Sequence, residues 1–252
     1  MTAIFITATG TNVGKNSVVA ALIRHLRQLG HTVEAIKPIV SGYDPVRAAA
    51  SDPGVLITAL GLPFSPESID RISPWRFRAP LSPDLAASKE GRAINVDDVI
   101  AFCRRAVETR RDLLLIEGVG GIMVPLDEQR TILDVMMALQ LPLILVTGSY
   151  LGAISHTLTA LDSLFRRDMN VLAVIVSETP GSGVELGDTV AAINRFAEPV
   201  IGLPRRRNAG DPSRGTNFGS IFDPQRGRVT PPAEQGDPAR ERRPPDPGRN
   251  VR

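Results

Sequence analysis

The chain has 252 residues, of which 42% are hydrophobic and 22% charged, with one cysteine and a formal net charge of +2. A single cysteine excludes an intrachain disulfide, no apolar run reaches the ~20 residues of a membrane span, and no charged, apolar leader opens the chain. A cytoplasmic location without a membrane partner is therefore expected. The charge is unevenly placed: residues 205–252 hold 11 Arg against 6 Asp and Glu, which leaves residues 1–204 at −3. The basic balance thus describes the end of the chain, and a nucleic-acid partner is not expected from it.

Residues 3–7, AIFIT, are β-branched and aromatic and predict a buried strand. A loop of small residues follows, Ala8-Thr9-Gly10-Thr11-Asn12, then Val13-Gly14-Lys15. From Lys15 the apolar residues Val19, Leu22, Ile23, Leu26 and Leu29 recur at helical spacing, and Gly30 is placed to close the helix. Strand, small-residue loop, Gly-Lys and helix is the context of a phosphate-binding loop. There the unpaired N–H groups of a helix start hold phosphate oxygens, and a lysine adds a point charge. The pattern departs from G-x-x-x-x-G-K-[ST] at two places: Thr9 replaces the first glycine, and Asn16 replaces the hydroxyl residue that ligates the nucleotide's metal.

Residues 32–36 predict a second strand, leading into Lys37-Pro38-Ile39-Val40-Ser41-Gly42. Pro38 and Gly42 make this a loop at a strand's C-terminal end, the edge where open α/β sheets bind ligands. Residues 44–84 read as irregular, with many prolines and Trp75. Helical pattern returns at 85–89 and 96–109, where Cys103 is expected to be a core residue. Leu113 to Ile116 is a continuous apolar run, as in a strand covered on both faces. Glu117-Gly118-Val119-Gly120-Gly121 closes it, with an acid where a metal-coordinating carboxylate belongs. Further strands are expected at 143–146, 171–176 and 199–203, with a helix after Gly152 that carries His156. About six strands alternating with helices predict an α/β fold: a doubly wound, mostly parallel sheet in three layers. From residue 205, Pro, Gly and Arg dominate and no periodicity survives. A domain of residues 1–204 with a disordered tail of 205–252 is expected. Only Phe218 and Phe222 interrupt that tail with aromatics, too few for an RNA-binding arm.

Several separated motifs, in order, resemble the dethiobiotin synthetase family over roughly residues 5–204. They are the loop from Ala8 to Asn16, K-P-x-x-S-G at Lys37 to Gly42, Ser51-Asp52, A-P-x-S-P at Ala79 to Pro83, E-G-R at Glu90 to Arg92, E-G-x-G-G at Glu117 to Gly121, and Leu151-Gly152 with His156. The resemblance implies a phosphate-loop fold and an ATP- and Mg²⁺-dependent ligase that closes the ureido ring of dethiobiotin from 7,8-diaminopelargonate and CO₂. By the same resemblance Lys15 holds the γ-phosphate and Lys37 stabilises the transferring group. Backbone of Asn12, Val13, Gly14, Lys15, Asn16 and Ser17 wraps the phosphates, and Gly118, Val119 and Gly120 border the nucleotide. Ser177, Glu178 and Pro204 lie near its base. Thr11, Lys37 and Ser41 contact the diamine. Asp52, Glu117 and Asn16 take the metal, with Asn16 a weaker ligand than a hydroxyl residue. The family acts as a homodimer, so Gly152, Ala153, Ile154 and Ser155 would offer N–H groups to the substrate carboxylate across an interface. Two other readings stay open on sequence: a phosphate-loop ATPase that positions macromolecules, against which Gly10 stands in the place of its signature lysine, and a catalytically inactive relative with a binding or structural role.

Overall fold

In the computed structural model, residues 3–205, 216, 218–222 and 229 are described. Strand β1 (Ala3–Ala8) is buried at every position and passes through the loop into α1 (Lys15–Gln28). Strands β2 (Val33–Ile36) and β3 (Ile39–Ser41) follow, then α2 (Asp52–Leu60), α3 (Pro66–Ile72), β4 (Trp75–Phe77), α4 (Pro83–Ser88) and α5 (Val96–Thr109). The second half alternates: β5 (Leu113–Glu117), α6 (Ile132–Leu139), β6 (Leu143–Gly148), α7 (Ala153–Phe165), β7 (Val171–Ser177), α8 (Leu186–Asn194), β8 (Val200–Leu203) and the short α9 (Gly219–Phe222).

Six strands form one parallel sheet in the order β2-β5-β1-β6-β7-β8. Alternation along β1 sends Ile4 and Ile6 to one face and Phe5 to the other. The first face packs against α1, α2, α3 and α9 through Val18, Leu22, Leu26, Leu56, Ile69 and Ile221. The second packs against α5, α6, α7 and α8 through Val99, Ile132, Leu161 and Ile193. The expected three-layer, doubly wound architecture is what forms. Because every strand of this sheet is parallel, their C-terminal ends open on one edge. The chain turns one way from β1 to β2 and later returns on β1's other side as β6, so the loop after β1 sits at the switch point where such sheets bind ligands.

Residues 44–84 correct the irregular segment expected there. They hold a 3₁₀ turn (Pro45–Ala50), α2, α3 and β4. Both α2 and α3 begin with a serine cap and a proline in the first turn: the Ser51 hydroxyl accepts from Gly54 N–H at 3.4 Å, and Ser65 accepts from Ser68 N–H at 3.2 Å. Proline at that position costs no hydrogen bond and presets φ, so these prolines start helices. Residues 39–41, expected in a loop, pair instead with β4 as a second, two-stranded parallel sheet. The E-G-R motif holds that sheet from behind. Glu90 accepts from Arg78 N–H at 2.6 Å, while Arg92 donates to the Arg76 carbonyl at 3.1 Å and lies 4.5 Å over the Phe77 ring. Cys103 is fully buried in the α5 face of the core, where burial pushes its thiol up to about 12.

Most of the tail expected to be disordered lies outside the described residues. Among its described residues Thr216, Phe218, Ile221 and Val229 are buried, while Arg205 and Gly219 are exposed. Phe218 is fully buried, meets the His25 ring edge-on at 5.4 Å and caps the α1 layer, and Val229 N–H donates to the Val171 carbonyl at 2.8 Å. Among the described residues, no helix is long and apolar enough to cross a membrane. Phe218→Ala would leave a cavity over α1 and is expected to lower unfolding free energy by about 3 kcal/mol in urea titrations; an unchanged midpoint would show that this segment contributes nothing to the domain.

Candidate active site

The loop between β1 and α1 is shaped by backbone. Asn12 (φ 60°) and Gly14 (φ 92°) both take the left-handed region, and Gly14 caps α1 without a side-chain hydrogen bond. A Cβ at Gly14 would stand 2.2 Å from the Ser177 hydroxyl, so only glycine lets the loop lie against the end of β7. No side chain caps the first N–H groups of α1, and an uncapped helix start of this kind can hold an anion. Lys15 sits at this positive helix end, where a cation is disfavoured. Its ammonium is stabilised by the Gly120 carbonyl at 2.9 Å and the Gly10 carbonyl at 3.5 Å. Burial, reinforced by the like charge of Lys37, brings its pKa down to about 8, against the opposing pull of Glu117 and Asp52.

Lys37 reaches the same place from the end of β2. Its Nζ lies 2.5 Å from Glu117 Oε1 and 2.6 Å from Asp52 Oδ2, and its side chain is only 5% exposed. Burial works against this ammonium, but the two carboxylates outweigh it and hold the pKa above the ordinary lysine value. Glu117 ends β5, is 1% exposed, and is pushed upward by burial, with Lys37 pulling the other way. Asp52 occupies the first position of α2, a helix end that favours negative charge. The glycine loop after Glu117 folds directly onto the phosphate-binding loop: a Cβ at Gly121 would lie 3.0 Å from the Thr9 carbonyl.

Asn16 donates its Nδ2 to Asp52 Oδ1 at 3.1 Å. A carboxylate can only accept here, so the amide nitrogen must face Asp52. That leaves Asn16 Oδ1 and Glu117 Oε2 buried without a partner among the described residues. Two carboxylates and an amide oxygen, two of their atoms orphaned, are hard donors that fit a divalent cation such as the one a nucleotide carries. No group of three His, Cys, Asp or Glu side chains converges among the described residues, so the chain's charged contribution is these two acids.

Beside this cluster a cleft of about 390 Å³ is lined by Asn12, Val13, Gly14, Ser17, Ser177, Glu178 and Pro204, together with Thr179, Pro180, Leu203 and Arg205. The first seven are sequence-predicted nucleotide residues. The last four, not named from the sequence, lie just beyond or at the ends of β7 and β8, where the parallel topology places them. Glu178 is turned to the chain end, accepting from Arg205 N–H at 2.6 Å. Gly118, Val119 and Gly120 continue the Glu117 loop. Ser41 ends β3 with a buried, unpartnered Oγ, and Thr11 is exposed in the loop. Gly152, Ile154 and Ser155 are exposed at the start of α7, with Ala153 buried beneath them. The contacts of the described residues do not join this turn to the Lys15–Lys37 cluster. His156, on the same helix, is exposed and meets the Tyr150 hydroxyl at 2.9 Å. Gly14→Ala is expected to cut triphosphate affinity at least about 100-fold, because strain and the Ser177 clash deform the cradle; equilibrium dialysis with a circular-dichroism check of folding would measure it.

A family model described as an AAA domain matches residues 2–208. The ATP-dependent dethiobiotin synthetase BioD of Methylobacterium nodulans is 44% identical over 220 residues, covering 85% of this chain and 97% of the relative. The enzyme of the same name from a Caulobacter species is 44% identical over 241 residues, covering 94% of this chain and all of the relative. Among solved structures, the cell-division protein MinD of Aquifex aeolicus aligns at a TM-score of 0.49 and 15% identity, over 85% of this chain and 87% of that one. With this identity running nearly end to end, and with the loop, the two lysines and the two acids in one place, the chain belongs to the ATP-dependent dethiobiotin synthetase family.

Proposed function

We propose that this protein closes the ureido ring of dethiobiotin from 7,8-diaminopelargonate, CO₂ and ATP. The observation that carries this reading is the convergence of Lys15, Lys37, Asp52 and Glu117 at the switch point of the sheet. One amine of the diamine takes up CO₂ as a carbamate. A carbamate oxygen then attacks the γ-phosphorus while ADP leaves, giving a carbamic–phosphoric anhydride. The second amine attacks the carbonyl carbon, expels phosphate and closes the ring. Both reactants of the phosphoryl transfer are anions, so the site must supply fixed positive charge and in-line placement.

Lys15 supplies charge at the terminal phosphate, assisted by the uncapped N–H groups of α1. Lys37, opposite it, meets the carbamate and the phosphoryl oxygens. Ser41 and Thr11 orient the diamine, with the orphaned Ser41 Oγ supporting that role. Asp52, Glu117 and the Asn16 Oδ1 would hold Mg²⁺, which neutralises phosphate oxygens when bound. Residues Ser177, Glu178 and Pro204 border the base, supported by their place on the 390 Å³ cleft. A homodimer in the cytoplasm belongs to the same reading. All four charged groups of the site are present, so an inactive relative is not favoured.

The direct test incubates the protein with diaminopelargonate, bicarbonate, Mg²⁺ and ATP. Ring product and phosphate should appear in equal amounts; phosphate without ring product would refute the reading. Asn16→Thr restores a hydroxyl at the metal position and is expected to lower the KM for Mg·ATP roughly tenfold, measured in the same assay.

The Lys15 pKa gives a second prediction, with a definite sign. Near pH 8 the free protein carries this lysine about half protonated. Bound polyphosphate raises the pKa, so Lys15 should take up protons when ATP binds at pH 8–9; near pH 6.5 the lysine contributes almost none, and the nucleotide's own terminal phosphate releases protons instead. Calorimetry in buffers of different ionisation enthalpy reads the uptake directly.

A further inference from the structure

Lys37 sits between the two carboxylates that the reading above gives to the metal. Its ammonium donates to Glu117 Oε1 at 2.5 Å and lies 2.6 Å from Asp52 Oδ2. The cage is only partly satisfied by this cation: Glu117 Oε2 and Asn16 Oδ1 remain buried and unpartnered beside it. Asp52 Oδ1 is held by the Asn16 amide at 3.1 Å, which keeps the carboxylate turned into the site. Two acids therefore share one ammonium, with two hard oxygens left over. A divalent cation would meet both of those needs, and it competes for the oxygens that Lys37 already uses.

The lysine is built to yield. Its charge rides on a flexible four-carbon stem, and its backbone is anchored where β2 ends, by Lys37 N–H to the Ile72 carbonyl at 3.0 Å and by the Ser73 hydroxyl to the Lys37 carbonyl at 2.6 Å. The ammonium can swing while the strand stays in place. Lys15, by contrast, donates to backbone carbonyls and not to the acids, so only Lys37 occupies the oxygens a cation would use.

We propose that Lys37 is a tethered counter-ion of the Asp52–Glu117 cage in the nucleotide-free enzyme and leaves it when a divalent cation enters. The catalytic ammonium is thereby delivered to the transferring group only in the metal-loaded state. This rests on the ligase reading for the identity of the metal site, and it adds an order of events: metal arrival precedes Lys37 engagement. It also requires that the free protein bind divalent cations weakly, because entry breaks two charge-assisted contacts.

The test uses Mn²⁺ alone, titrated into nucleotide-free protein and followed by electron paramagnetic resonance. Lys37→Met removes the competitor and keeps the stem, and should tighten Mn²⁺ binding at least about tenfold over the unmutated chain. Equal or weaker binding in a folded Lys37→Met variant overturns the proposal. Should that variant not fold, the unmutated protein decides. The ¹⁵N resonance of the Lys37 ammonium should move when Mg²⁺ and a non-hydrolysable ATP analogue are added together, and stay when the analogue is added with EDTA; a resonance that responds alike in both overturns it. Neither readout requires turnover. Ring product without this exchange removes only the proposal, whereas exchange without ring product removes the assigned reaction and leaves the exchange standing.

Discussion

The site is organised by one ionic contact around a buried ammonium, shared with the buried Glu117 and the part-exposed Asp52. Lys37, Glu117 and Asp52 come from the end of β2, the end of β5 and the first residue of α2, and they meet within 2.6 Å. Taking such charges out of water is expensive, and breaking a buried pair by removing one partner costs about 3–5 kcal/mol. The contact is therefore weak evidence of net stability but strong evidence of constraint. It requires β2 and β5 to end level with one another, which their parallel register supplies by setting Ile36 opposite Ile116. It also requires α2 to start where it does, which the Ser51 cap and Pro53 ensure.

Around this cluster the chain repeatedly accepts local cost for the sake of the site. Lys15 stands at the wrong end of a helix for its charge. Asn12 holds a left-handed conformation, and Gly14 leaves α1 without a side-chain cap. Each would be a defect in a structural helix. Together they set an uncapped helix start and two buried ammonium groups close to one another at the switch point of the sheet, an arrangement of positive charge suited to a polyanion. Stability is recovered in the strands behind, where β1, β5 and β6 are buried at every position. The buried strands hold the charged groups in register.

Asn16 is one of the two places where the loop departs from the G-x-x-x-x-G-K-[ST] pattern. Its amide must present nitrogen to Asp52, which positions that acid while spending the nitrogen side of the group on the protein. The oxygen side is left buried and unpartnered. The amide is as neutral as the hydroxyl it stands in for but sits on a longer side chain, so the expectation that Asn16 weakens metal binding rests on reach, and Asp52 is the partner that fixes its orientation.

The strands were legible because each is a run of branched apolar residues bounded by glycine, proline or a polar turn, and a strand covered on both faces needs nothing subtler. The phosphate-binding loop was legible for the same local reason: Gly-Lys between a strand and an amphipathic helix has few other uses. Residues 44–84 were not, because a proline reads as a breaker unless the serine before it is recognised as a cap. The contacts of Arg205 and Phe218 were not legible because their surroundings carry no periodicity; they come from Glu178 after β7 and from His25 on α1, which no local pattern reveals.

By itself the sequence determined the alternation of strands and helices, the charged residues, and the loop that could hold a phosphate, since all of these follow from neighbours within a few positions. Only the tertiary structure decided that Lys37, 80 residues from Glu117, shares its ammonium with that acid and with Asp52, and which way the Asn16 amide must face. Those outcomes depend on strand order and on which buried atoms find partners, and both are settled by packing between segments far apart in the chain.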